Sequence, residues 1–427
     1  MSVRGIQALV LVAGLAAACA GCRSLAGEDK TAGRSDLTAG VPSRQDAGRF
    51  YDPDVRQATA IEPVSPGPTP EETLAAATGN SRARIRPDKK KEEDSPYDPA
   101  TWVTGAYKSV KSWAGYGPSE EAARKAFEEG KGLFRERRYE EAAKSFAVAA
   151  DRWPESALEE DSLFLLGESH FFADRYPSAH EAYESLLKKY EFSRHVDRAA
   201  AREFAVGRYW EQLDKVDSQW TIVPNLTDKT RPLFDTWGNA LKAYEHVRMN
   251  DPGGPLADDA VMATANANFL RGRFEESSRF YDMLRKDYPK SEHQLRAHLL
   301  ALEAKQHVYQ GPTYDGTPLK EAAEVADQTL VRFGPALGPE RDRVIDTKNR
   351  LVEEMAARDW ATARYYDKNA YYGAARIYYQ SVIDQYSQTQ TAEAARRRLE
   401  EIKDLPAEPP NRFKWLTYVF ESKKRRR

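Results

Sequence analysis

The chain is 427 residues long, with 41% hydrophobic, 11% aromatic and 30% charged residues and a formal net charge of -2. Mean hydropathy is -0.72, so there is enough apolar material for a core under a heavily charged surface. This balance excludes the strongly basic face that nucleic acid requires, and no nucleic-acid partner is expected. Both cysteines, Cys19 and Cys22, lie near the N-terminus, which leaves no disulfide or cysteine metal site for the body.

Residues 1–22 read as an address. Arg4 supplies a positive charge, and the apolar and small run from Ile6 to Ala18 is too short to span a bilayer comfortably. It ends in Ala-Ala-Ala-Cys-Ala-Gly-Cys and resembles a bacterial lipoprotein signal, in which small residues precede a Cys that takes the lipid. Cys19 and Cys22 are both candidates for that anchor; an ordinary secretory signal is the alternative. Residues 23–100 keep no hydrophobic period and are rich in Pro, Gly, Ser, Thr, Ala and charge. They read as a disordered tether, about 75 residues with a root-mean-square reach of roughly 50 Å. Within 101–118, Val103, Ala106, Tyr107, Val110, Trp113 and Ala114 follow helical spacing. A short amphipathic helix is expected there, shielding the first repeat or docking on a partner or membrane surface.

From 119 to 405 the chain repeats itself. Gly130, Tyr139, Ala142 and Phe146 recur as Gly167, Tyr176, Ala179 and Tyr183, with a constant offset of 37 residues between the aromatic positions. Small residues let two helices of a hairpin approach, Tyr139 falls at the turn, Phe146 fills the interface to the next hairpin, and Pro154 stops the second helix. One hairpin cannot bury its apolar face alone, so copies must stack. The pattern resembles the tetratricopeptide repeat. A third copy opens with Phe204 and Gly207 and is delayed by an insert from about Leu213 to Pro232. A fourth runs from Ala265 to Pro289, and a fifth is degenerate around Gly311 to Gly316. A sixth carries Ala363, Tyr366, Tyr372, Ala375 and Tyr379, and a closing helix starts near Thr391. The expected fold is therefore all-α: a right-handed solenoid of about five to six tetratricopeptide-type hairpins. Residues 406–427 form a tail with aromatic residues before Lys423-Lys-Arg-Arg-Arg427, suited to an acidic groove or an anionic lipid surface.

Chemistry is not written into the chain. None of the seven histidines forms a His-Glu-x-x-His pair, and neither a phosphate loop nor a Gly-x-Ser-x-Gly turn occurs. No catalytic residue, metal or cofactor is expected. What stands out is aromatic: Phe127, Phe134, Phe164, Phe171 and Phe204 all fall on first helices of the hairpins. In tetratricopeptide repeats these positions line the face where peptides lie. They read as a peptide-binding groove or, alternatively, as core packed within the superhelix or covered by the 101–118 helix.

A signal of this kind ahead of such an array resembles the BamD family of outer-membrane β-barrel assembly lipoproteins. The residues that carry the likeness are Tyr139-Glu-Glu-Ala-Ala-Lys-Ser-Phe146 through Ser156, Phe171 to Tyr190, and Ala363-Arg-Tyr-Tyr-Asp-Lys-Asn-Ala-Tyr-Tyr-Gly-Ala-Ala375. The resemblance implies a non-enzymatic scaffold lipid-anchored to the outer membrane and facing the periplasm. Its N-terminal repeats would meet nascent outer-membrane proteins. Its C-terminal repeats, with Tyr365, Tyr366, Tyr372 and Tyr379, would hold a BamA-like barrel protein by a POTRA domain. The long tether and the basic tail depart from the family. The alternative is a tetratricopeptide lipoprotein scaffold that coordinates cell-wall synthesis, division or secretion.

Overall fold

A computed structural model describes residues 69–77, 117–218, 220 and 222–409. The signal with Cys19 and Cys22, most of the tether, the amphipathic segment up to residue 116 and the tail from residue 410 lie outside the described residues. The described residues are helical with no strand. The helices are α1 (Pro70–Ala77), α2 (Glu120–Arg135), α3 (Tyr139–Arg152), α4 (Ala157–Phe172), α5 (Tyr176–Lys189), α6 (Val196–Val216) and α7 (Thr236–Asn250). They continue as α8 (Ala257–Leu270), α9 (Phe274–Asp287), α10 (Gln294–Val308), α11 (Thr317–Phe333), α12 (Glu340–Lys368), α13 (Tyr372–Gln385) and α14 (Gln390–Ile402). None of these helices is long and apolar enough to cross a membrane.

From α2 onward each helix packs against the next, and α2 also touches α4 and α5 touches α7. The result is a stack of helix pairs, α2/α3 through α12/α13, closed by α14. Ser119, Ser156, Asp235 and Thr389 cap α2, α4, α7 and α14 by accepting from a backbone N–H in the first turn. Within a pair, the turn holds one residue in the left-handed region: Arg137, Asp174, Gly272 and Ala370 at φ of 59, 54, 72 and 61°. The residue after it donates its N–H to the carbonyl five positions back, as in Arg138 to Leu133 and Tyr371 to Tyr366. That ends the first helix and aims the second back along it.

The spacing of small and aromatic residues has a direct steric cause. A Cβ on Gly130 would meet the Phe146 ring at 2.8 Å, one on Gly167 the Tyr183 ring at 2.5 Å, and one on Gly207 the Tyr244 ring at 2.9 Å. Phe146 therefore locks its own hairpin rather than filling the interface to the next one. In later pairs Ala265 and Ala363 stand at the glycine position, with Tyr281 and Tyr379 fully buried opposite. The buried tyrosines keep a polar partner on the first helix: Tyr183 donates to Glu168, Tyr244 to Glu211, Tyr281 to Asn266 and Tyr379 to Asp367. Burial without such partners would cost more than the ring gains at its polar end.

The apolar interior falls into sections. One large cluster runs from Leu74 to Ala243, a second from Val261 to Leu351 and a smaller one from Ala356 to Ile402, while a minor cluster joins Ala200, Tyr244 and Val247 to Ala260 and Ala263.

Candidate functional site

Three surfaces stand out, and the first was hidden in the tether. Thr69 and Glu72 form a reciprocal cap: the Thr69 N–H donates to the Glu72 carboxylate at 2.8 Å, and the Glu72 N–H to the Thr69 hydroxyl at 3.3 Å. With Pro70 in the first turn, this starts α1. The expectation of a structureless tether is thus corrected for residues 69–77. The helix packs against α2 and α4, two first helices of the stack. Thr73, Leu74 and Ala77 are buried, and Leu74 and Ala77 join the large core cluster.

Beneath Thr73 lies a buried polar cluster. Glu168 on α4 receives the Arg202 guanidinium of α6 in a two-pronged contact at 2.9 and 3.0 Å, and the Tyr183 hydroxyl at 2.6 Å. The Thr73 hydroxyl donates to the same carboxylate at 3.3 Å. Arg202 also lies over the Phe171 ring, 4.2 Å from its centroid. At the far end of α1, Arg194 donates to the Ala77 carbonyl at 2.7 Å, satisfying an end-of-helix acceptor.

Apolar burial alone does not offset the ordering of this helix. Burying Leu74 is worth about 2 kcal/mol and the Ala77 methyl about 0.8 kcal/mol. Ordering the backbone of a helix costs about 1–2 kcal/mol per residue before its hydrogen bonds are counted. An isolated eight-residue helix does not persist in water, so α1 holds its shape by staying docked.

The phenylalanines expected to form an open strip are interior. Phe127, Phe134, Phe164 and Phe171 are buried, and Phe204 is half-buried. Phe127 and Phe134 meet Phe146 edge to face at 5.7 and 6.5 Å; Phe164 stacks on His195 at 4.1 Å; Phe204 sits 5.5 Å from Tyr244. The glycine opposite each second-helix ring draws that ring inward, and the first-helix phenylalanines close around it. Of the two alternatives for this strip, packing as core is the one found.

The second surface is the C-terminal tyrosine cluster. Tyr365 is 66% exposed. Tyr366 is half-buried, stacked on Tyr378 at 5.1 Å and set edge-on to Tyr365 at 5.5 Å. Tyr372 is half-buried against the last core cluster. Tyr379 is corrected from a partner contact to a core residue: it is fully buried, lies 4.8 Å from Trp360 and donates to Asp367. Tyr378, Tyr371 and Ile377 are exposed beside this cluster and were missed; they lie one or two residues away from the positions that the repeat pattern selects.

The third surface is the insert between α6 and α7. Its base is fixed: the Trp210 indole N–H donates to the Thr230 carbonyl at 2.8 Å, and Arg231 pairs with Asp217 at 3.1 Å. Its outer part leaves Trp220, Ile222, Val223 and Leu226 exposed. Such a grouping is unusual for surface that meets only water. The sequence marked this stretch by its prolines; apolar residues with no helical period were the further signal.

Two groups among the described residues set donors within 4.8 Å of one another that could hold a metal ion: His180, Glu203 and His246, and Asp259, Glu292 and His293. In the first, His180 Nδ1 lies 2.5 Å from Glu203. Burial opposes charge on His180, yet the carboxylate beside it holds its pKa above the usual 6.5, while burial raises that of Glu203. The second carboxylate oxygen of Glu203 and Nδ1 of His246 are buried without a hydrogen-bond partner among the described residues.

A stack of short helix pairs with side chains turned to a common face defines a helical-repeat protein. The family model of the tetratricopeptide repeat matches residues 161–193, which is α4, α5 and the turn after them, the second of the two sequence copies. The chain carries this repeat, a class of module that works through protein–protein contact. No curated protein matches the chain as a relative.

Proposed function

We propose that the chain is a non-enzymatic, lipid-anchored scaffold of outer-membrane β-barrel assembly, facing the periplasm. The successive pairs are read as six tetratricopeptide repeats, the fifth degenerate. In this reading the first hairpins receive unfolded outer-membrane proteins, and the last hairpin holds a BamA-like barrel protein by a POTRA domain. The observation that carries it is the separation of two surfaces on one stack: a first-helix face on which the chain's own α1 packs, and exposed tyrosines in the segment 363–375 that resembles the BamD family. The anchor rests on the signal-like N-terminus with Cys19 or Cys22.

The test is capture from mildly solubilised envelopes with a tag placed between residues 23 and 68. Near-stoichiometric recovery of a barrel protein with POTRA domains, lost on combined Tyr365→Ala and Tyr366→Ala substitution, is the expected result. Recovery of cell-wall, division or secretion proteins without such a barrel would sink the assembly role and favour the alternative scaffold.

A further inference from the structure

We propose that Pro70–Ala77 is a ligand built into the chain. The face of α2 and α4 is a helix-binding site, and this segment occupies it until a partner helix of the same character displaces it.

The stack does not need α1 to be complete. Each helix from α2 to α14 has its neighbour in the stack, and α2 has its own cap in Ser119. The α1 contact, by contrast, has the makings of recognition. It is held in three ways: the Thr73 hydroxyl by the carboxylate of Glu168, an apolar side chain by the core between α2 and α4, and the backbone carbonyl of Ala77 by Arg194. A charged pair as deeply buried as Glu168 and Arg202 is a poor device for mere stability, since taking both charges from water costs several kcal/mol per ion before pairing. Its value lies in choosing what sits above it. An occupant without a hydroxyl at the Thr73 position would forgo its contact to the Glu168 carboxylate, whose two oxygens would keep Arg202 and Tyr183.

The partner that fits is therefore a protein segment that becomes one short helix on docking. It carries Thr or Ser, a Leu directly after it, and a small residue three further on, matching Thr73-Leu74 and Ala77. A capped acidic start like Thr69 to Glu72 would favour the helix. The stretch 78–116 joins α1 to the body along the chain, so the segment in cis meets the face at high effective concentration. A partner must exceed that advantage. The consequence is a threshold: weak or non-matching peptides do not enter, and matching ones open the site.

This inference rests on reading the first hairpins as a peptide-receiving face, but its test needs no outer-membrane partner. A fluorescent peptide of residues 67–79 is titrated into the full chain and into the full chain carrying Leu74→Asp. The variant should bind at least tenfold more tightly, because its own segment no longer competes. A Thr73→Val version of the peptide should bind the variant at least fivefold more weakly. In the unmodified chain, backbone amides of 73–77 should be protected from hydrogen exchange and lose that protection under saturating peptide. Equal binding by the two chains, no binding by either, or unchanged protection under peptide would overturn the proposal and make α1 a fixed part of the fold. Failure here with recovery of a POTRA-bearing barrel leaves the assembly role intact; the converse leaves the built-in ligand intact.

Discussion

The first three helix pairs and the last one use the same repeat and arrive at opposite surfaces. In α2 to α7 the aromatics of the repeat point inward, and α1 packs on the first helices α2 and α4. In α12 and α13 Tyr379 goes inward, Tyr366 and Tyr372 are half-buried, and Tyr365, Tyr371 and Tyr378 stay outside. The difference lies opposite the ring. Gly130, Gly167 and Gly207 admit a ring against helix backbone, and the flanking phenylalanines close over it. Ala363 admits Tyr379 alone, and the next positions have only α14 beyond them. A repeat pattern places an aromatic on a helix; what faces it decides whether it is core or contact.

The sharpest test of this contrast is within one stretch of sequence. Tyr379→Ala should cost about 4 kcal/mol, the scale for removing a buried aromatic, seen as a lowered denaturant midpoint of the C-terminal section. Gly167→Val comes next: its side chain would enter space held by the Tyr183 ring, and overpacking predicts a loss of about 3 kcal/mol, seen as a lowered denaturant midpoint of the N-terminal section. Tyr365→Ala should leave stability within about 0.5 kcal/mol, as for other surface changes, while partner recovery in the capture experiment falls at least fivefold. If Tyr365→Ala destabilises as Tyr379→Ala does, the contrast between surface and core is wrong.

Between the two regions, His298 gives a dependence on pH. Burial pushes its imidazole down to about 4, with the ring's Nδ1 2.7 Å from the Gln294 carbonyl oxygen. The unfolded chain takes up a proton there near 6.5 while the folded chain waits until about 4. Its contribution is full above 6.5 and is lost as pH falls through that window. Melting temperature should drop from pH 7 to pH 5, and His298→Gln should flatten part of that slope. A small gain in stability is expected at the turn of the last pair, where Ala370 holds φ of 61°. Ala370→Gly should raise stability by about 0.5–1 kcal/mol, because glycine takes that conformation without strain.

Much of the stack was legible because its causes are local and periodic. A small residue and an aromatic sixteen positions later marked hairpins as far apart as Gly130 with Phe146 and Ala363 with Tyr379, and Pro154, Pro252 and Pro289 stood just past second helices. The depth of each aromatic was not legible. Phe134 and Tyr365 both sit near the end of a first helix, and only the neighbouring helices distinguish them. Helix α1 was half-legible: Thr69-Pro-Glu-Glu72 is a start signal, but an apolar stretch as short as Leu74 to Ala77 disappears in a Pro-rich composition. The decisive contact, Thr73 with Glu168, joins residues 95 apart, and no spacing rule reaches that far.

The division of the interior has a thermal consequence. The exposed tyrosines ride on the smaller cluster, Ala356 to Ile402, at the end of the stack, whereas α1 rests on the large one. In a repeat array each section is held mainly by its neighbours, so the C-terminal section opens locally at lower free energy than the rest. A protein that clamps Tyr365 and Tyr366 would therefore also suppress fraying beneath them. Its binding should carry a heat-capacity decrease larger than the contact area alone accounts for, and the affinity should weaken steeply on warming.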